Sequence, residues 1–91
     1  MEYRITDMRC KEVINISDGQ RLGYIYDVLF STDTGKITAV ILPGQSRMLG
    51  LLGREEDYMI PWESIKRISQ DVVLVDVKQY VREKRKKSGW L

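Results

Sequence analysis

Apolar residues fall in short runs divided by breaks rich in Gly, Asp and Thr. Residues 11–16 make a first strand, and Asp18-Gly19-Gln20-Arg21 breaks it, with Gly19 suited to positive φ. Residues 23–31 form the longest β-rich run and are expected as one strand. Thr32-Asp33-Thr34-Gly35 is a tight connection before the returning run 36–42, which Pro43-Gly44 ends. Residues 57–61 give a shorter strand. Residues 63–68 are extended or begin in one helical turn, and residues 72–77 form the last strand. Thr6-Asp7-Met8 reads as a capped turn. No segment before residue 78 repeats its apolar positions every 3.6 residues, so crossover helices are not expected.

Two strands are apolar on both sides. Tyr24, Tyr26, Val28 and Phe30 line one face of the second run, with Ile25 and Leu29 on the other. In the third, Ile37, Ala39 and Ile41 oppose Val40 and Leu42. A strand with one wet face alternates cleanly. Either a small, strongly curved barrel covers its own strands, or the second face meets another subunit.

The chain has 91 residues, 43% hydrophobic and 31% charged, an ordinary globular composition for one domain. A chain this short buries a limited core, for which dimerisation is a common remedy, and a homodimer is expected. One cysteine, Cys10, excludes an intramolecular disulfide and a multi-cysteine zinc site, and the absence of histidine removes the commonest acid/base and metal ligand. No Ser-His or Cys-His pair, Walker-type phosphate loop or matched pair of acids is present, so no enzyme, no cofactor and no metal are expected. Met1-Glu2-Tyr3-Arg4 leads into no apolar leader, and no run approaches a membrane span, so a cytoplasmic location is expected.

Charge is unevenly placed. Residues 1–81 carry ten Lys/Arg against twelve Asp/Glu, and residues 82–91 carry five against one. The chain is therefore a mildly acidic body, expected as a domain over residues 1–79, followed by a basic tail or short helix over 80–91.

The run Asp18-Gly19-Gln20-Arg21-Leu22-Gly23-Tyr24-Ile25-Tyr26-Asp27-Val28, followed by Asp33-Thr34-Gly35-Lys36-Ile37, resembles the opening signature of PRC-barrel domains. Residues 60–65 and 71–75 look like the closing half. The segment from Leu49-Gly50-Leu51-Leu52-Gly53-Arg54 to Tyr58 is similar to the Gly-apolar-Gly-Arg loop of the YlmC/YmxH sporulation group of endospore-forming bacteria. The resemblance covers roughly residues 4–77 and departs at Ser69-Gln70, where relatives often place a glycine. It implies an all-β, six-stranded antiparallel barrel with no catalytic residues to carry over. The barrel also occurs in the photosynthetic reaction-centre H subunit and in the ribosome-maturation factor RimM, where it contacts other macromolecules, which implies an adaptor.

Two segments are candidate sites. Met48, Leu49, Leu51 and Leu52 are large apolar residues in a glycine-rich loop, with Arg47 and Arg54 flanking them. They plug an open barrel end, or they dock on a protein partner, a second subunit or a membrane surface. Arg82, Lys84, Arg85, Lys86 and Lys87, with Trp90, are a solvated end or an alternative surface for nucleic acid or anionic lipid. Trp62 is expected as a core aromatic capping the barrel, Cys10 as an inert small apolar residue, and Glu55-Glu56-Asp57 as solvated acids. Asp18 and Asp33 are expected to bond turn amides, and Asp27 to face a turn or solvent or to be a paired acid at a strand bend.

Overall fold

A computed structural model describes residues 1–44 and 56–84. One helical turn, α1 (Ile5–Arg9), precedes β1 (Glu12–Asn15), β2 (Arg21–Tyr24), β3 (Asp27–Phe30), β4 (Ile37–Pro43) and β5 (Glu56–Pro61). A 3-10 turn, Trp62–Ser64, then leads to β6 (Ile65–Ile68), β7 (Val72–Val75) and β8 (Val81–Lys84). The all-β expectation holds, but the six-stranded antiparallel ring does not. The described residues form eight strands in two four-stranded sheets, ordered β2-β1-β7-β6 and β3-β4-β5-β8. One pairing, β1 with β7, is parallel, setting Val13 beside Val73 and Asn15 beside Val75.

The extra strands have local causes. The run 23–31 breaks at Ile25-Tyr26, so its halves join different sheets. Ile25 is buried at this corner while Tyr24 and Tyr26 stay exposed; a straight strand cannot place Ile25 in the core and Val28 against the same core. Gly23 helps turn the chain with φ +98°. Residues 63–68 take both readings in sequence, a 3-10 turn and then a strand. Beyond Lys78 the chain is neither tail nor helix at first: Val81–Lys84 adds to β5, with Val81 opposite Met59 and Lys84 opposite Glu56.

The core lies between the sheets. Val13, Val73 and Val75 from the first sheet meet Val40, Leu42 and Ile60 from the second, with Met8, Leu22, Ile25 and Val77 closing the ends. Val28, Val40 and Ile60 are cross-strand neighbours in one row, as inward positions of successive antiparallel strands must be. β4 is buried on both faces, Ala39 and Ile41 on one and Val40 and Leu42 on the other. β3 is not: Val28 packs against the core, while Leu29 and Phe30 are exposed.

Candidate functional site: an apolar face around the first helix

α1 is too short to persist by propensity and is held by its ends. The Arg4 carbonyl accepts the N–H groups of Asp7 and Met8, and the Asp7 carboxylate accepts the Arg4 N–H at 3.0 Å. Met8 points inward and is buried. Before the helix the chain is extended, and Lys11 secures it. The Lys11 side chain is buried, donates to the Gln70 carbonyl at 2.8 Å, and lies over the Tyr3 ring at 4.9 Å.

The helix separates two depressions. Ile5 and Met8, three residues apart, share one side of it. They help line a cavity of about 260 Å³ walled by Tyr3, Val28, Ile37, Val40, Trp62 and Ile68, with Met1 at its mouth. All of these side chains are apolar or aromatic, and the floor is the core itself. Thr6, Arg9 and Cys10 share the other side and edge a wider, shallower depression of about 500 Å³ with Tyr24, Tyr26 and Pro43. Ile25 walls both. Tyr3, Ile5, Tyr24, Tyr26 and Trp62, between 37% and 53% exposed, therefore flank α1, the first, second and last at the cavity and the other two tyrosines at the shallower depression. A monomer of this size scatters single exposed hydrophobics; here five large ones lie about one short helix, three of them at the mouth of an apolar cavity.

The polar groups elsewhere are structural. Arg21 grips Glu12 with two hydrogen bonds, of 3.0 and 2.9 Å, and this holds the Glu12 carboxyl below its ordinary value. Asn15, fully buried, donates to the Val77 carbonyl at 2.9 Å and to the Tyr80 hydroxyl at 2.7 Å, while its carbonyl accepts Val77 N–H at 3.0 Å. The Tyr80 hydroxyl donates in turn to Asp18 at 2.7 Å. Asp18 is pulled below its ordinary value by the Gln20 N–H and then by Tyr80. Tyr80 is pushed above its ordinary value, first by burial and then by the Asp18 carboxylate, against the opposing Asn15 bond. A phenol whose native value is raised keeps its full contribution below about pH 10 and loses it as pH climbs through the native value. Urea midpoints measured between pH 7 and pH 11 are therefore expected to fall at the alkaline end. Tyr80→Phe flattens that fall while lowering stability at neutral pH by about 1 kcal/mol; an unchanged alkaline slope contradicts this assignment.

The residues chosen from sequence are brought together only in part. Arg47, Met48, Leu49, Leu51, Leu52 and Arg54 lie outside the described residues, as do Arg85, Lys86, Lys87 and Trp90. Arg82 is exposed on β8 with its guanidinium 5.5 Å from the Tyr58 ring centre, and Lys84 ends that strand. Trp62 does not cap the core: it is over a third exposed and walls the cavity, because Pro61 turns the chain outward into the 3-10 turn just before it. Cys10 is exposed at the end of α1. Asp57 is buried, where a solvated acid was expected. Asp18 bonds its turn as expected, accepting the Gln20 N–H, but at the Asp33 turn the Ser31 hydroxyl accepts the N–H groups of Asp33 and Thr34. Asp27, exposed at the strand bend, accepts the Val28 N–H. Sequence reasoning missed Tyr3, Ile5 and Tyr24 as parts of one face. The signal was present in Ile5 and Met8 at helical spacing, too short a run to weigh.

Residues 1–80 match the PRC-barrel domain family. The chain is similar to a probable sporulation protein, YlmC, of Bacillus subtilis, at 45% identity over 71 residues, covering 78% of this chain and 88% of the relative. It is also similar to an uncharacterized protein of Clostridium acetobutylicum, 38% identical over 74 residues (81% of this chain, 84% of the relative). A third relative, the uncharacterized protein YmxH of Bacillus subtilis, is 30% identical over 76 residues, covering 81% of this chain and 88% of the relative.

Proposed function

Since the chain belongs to the PRC-barrel domain family, we propose that it is a non-enzymatic docking module, working in the cytoplasm of an endospore-forming bacterium, that binds a protein partner or itself. The observation that carries this reading is the ring of exposed aromatic and aliphatic side chains around the cavity beside α1. Such a surface gives contact area and a pocket for one bulky side chain. The similarity to a probable sporulation protein supports a place in spore formation. Among the described residues, no group of three or more His, Cys, Asp or Glu side chains is arranged to hold a metal ion. No helix among them is long and apolar enough to cross a membrane. The apolar loop from Met48 to Leu52, with Arg47 and Arg54, is a second docking element in this reading.

The test is affinity purification of the tagged chain from a sporulating culture, with and without nuclease, beside three variants. Protein partners that survive nuclease and are lost in Trp62→Asp support docking at the cavity. Their loss in the Leu51→Asp, Leu52→Asp double variant, with an unchanged circular-dichroism spectrum, adds the loop. Capture that vanishes with nuclease, weakens steeply with salt and disappears on truncation after Lys84 assigns binding to the basic tail instead. The cut belongs after Lys84 because residues 81–84 are a strand of the second sheet.

A further inference from the structure

We propose that the occupant of this face is a second copy of the chain, the α1 ridge of each copy entering the cavity beside the partner's α1. This rests on the docking reading and commits it to one partner. A two-fold interface uses the same patch twice, so the patch must complement itself. A ridge flanked by a depression on the same face has that property, and α1 is such a ridge: Ile5 stands exposed on its cavity side, directly beside a cavity lined by Tyr3 and Trp62.

Charge favours the same occupant. The exposed groups flanking the ring carry both signs, Arg4 and Arg9 along α1, Asp27 beside Tyr26 and Glu63 beside Trp62. A nucleic acid or an anionic membrane selects a surface of one sign. A second copy instead offers acids to these cations and cations to these acids. The area is also of the right order. Tyr3, Ile5, Tyr24, Tyr26 and Trp62 at their partial exposures present roughly 300–500 Å² of surface, taking about 150–250 Å² for a whole aromatic. A standard interface needs about 800 Å² from each partner, so the ring makes the apolar centre and the charged flanks complete the rim. Pairing through the exposed edge of β3 is less favoured, because the Val28 N–H is already donated to the Asp27 carboxylate at 2.8 Å.

The geometry supplies its own reporter. Cys10 closes α1 on the side away from the cavity, and it is exposed. Two short helices packed side by side across a two-fold axis lie about 8–10 Å apart. With each thiol on the outer side of its helix, and each helix about 10–12 Å in diameter, the two Cys10 thiols lie up to about 20 Å apart, within reach of a long, flexible bismaleimide linker.

The full chain is to be followed by sedimentation equilibrium from about 1 to 200 µM, with cross-linking in parallel. The expected result is a reversible dimer that cross-links through Cys10. Ile5→Glu weakens it at least tenfold and abolishes cross-linking. An acid in the first turn of a helix is favourable, so α1 survives this change. Trp62→Ser weakens it similarly, and should that variant fail to fold, Ile5→Glu carries the test alone. Phe30→Ser, on a side chain outside the ring, leaves the dimer unchanged. A monomer at every concentration overturns the proposal, as does a dimer indifferent to Ile5→Glu. A monomer that still captures a nuclease-resistant protein through the cavity overturns the second copy as occupant and leaves the docking reading standing.

Discussion

Replacing Asn15 with alanine is expected to remove about 3 kcal/mol of stability, lowering the melting temperature by roughly 12–24 °C. The side chain is wholly buried and satisfies the Val77 N–H and the Val77 carbonyl together. Alanine leaves both without a partner, and each such group costs about 1–3 kcal/mol when water cannot reach it. The same amide holds the Tyr80 hydroxyl, which reaches on to Asp18 in the β1–β2 turn. One side chain thus ties that turn to the link between β7 and β8, and through the link to the last strand of the other sheet. Asn15→Asp keeps the acceptor of the Val77 N–H but loses both donated bonds and buries a charge, so it is expected to cost at least as much. Thermal and urea unfolding of the three proteins decide it. A loss below 1 kcal/mol for Asn15→Ala means that the link finds other partners and is no tie.

Local pattern made the hairpins legible. Gly19 and Gly35, which end their turns at φ +74° and +75°, stand where the sequence places them, and the apolar runs after them become strands. β4 was legible on both faces because four consecutive residues are apolar and all four are buried. Long-range order was not legible. The parallel pairing of β1 with β7 joins Val13 to Val73, and nothing in either segment alone tells parallel from antiparallel. β8 was hidden because Val81-Arg82-Glu83-Lys84 is an edge strand, and edges are commonly charged so that they do not recruit further strands. The exposed apolar surface around α1 was hidden for a related reason. It is assembled from a one-turn helix, a strand corner and a 3-10 turn, none of which is long enough for its spacing to carry weight. The corner at Ile25 brings Tyr24 beside α1, with Ile25 walling both depressions that flank the helix.

That corner yields the second large effect. Ile25→Ala is expected to cost about 2–4 kcal/mol and about 8–32 °C in melting temperature, whereas Tyr24→Ala, one residue earlier, stays within about 0.5 kcal/mol of the parent. Ile25 is 2% exposed and Tyr24 53% exposed, so truncation empties a packed space in one case and trims surface in the other. The comparison that tests the corner is with Leu29, four residues on, because a straight strand through residues 23–31 treats Ile25 and Leu29 alike. In such a strand Ile25 and Leu29 share a face, and their truncations have similar costs. With the chain bent between β2 and β3, Ile25 sits in the core and Leu29 is 40% exposed, so Leu29→Ala is expected to be mild. Ile25 also walls both depressions beside α1. Its truncation therefore loosens the contact face as well as the core, and Ile25→Ala is expected to weaken self-association more than its lost stability alone explains. Equal costs for Ile25→Ala and Leu29→Ala in urea unfolding would show that the run stays straight, and would dissolve the face that the corner assembles.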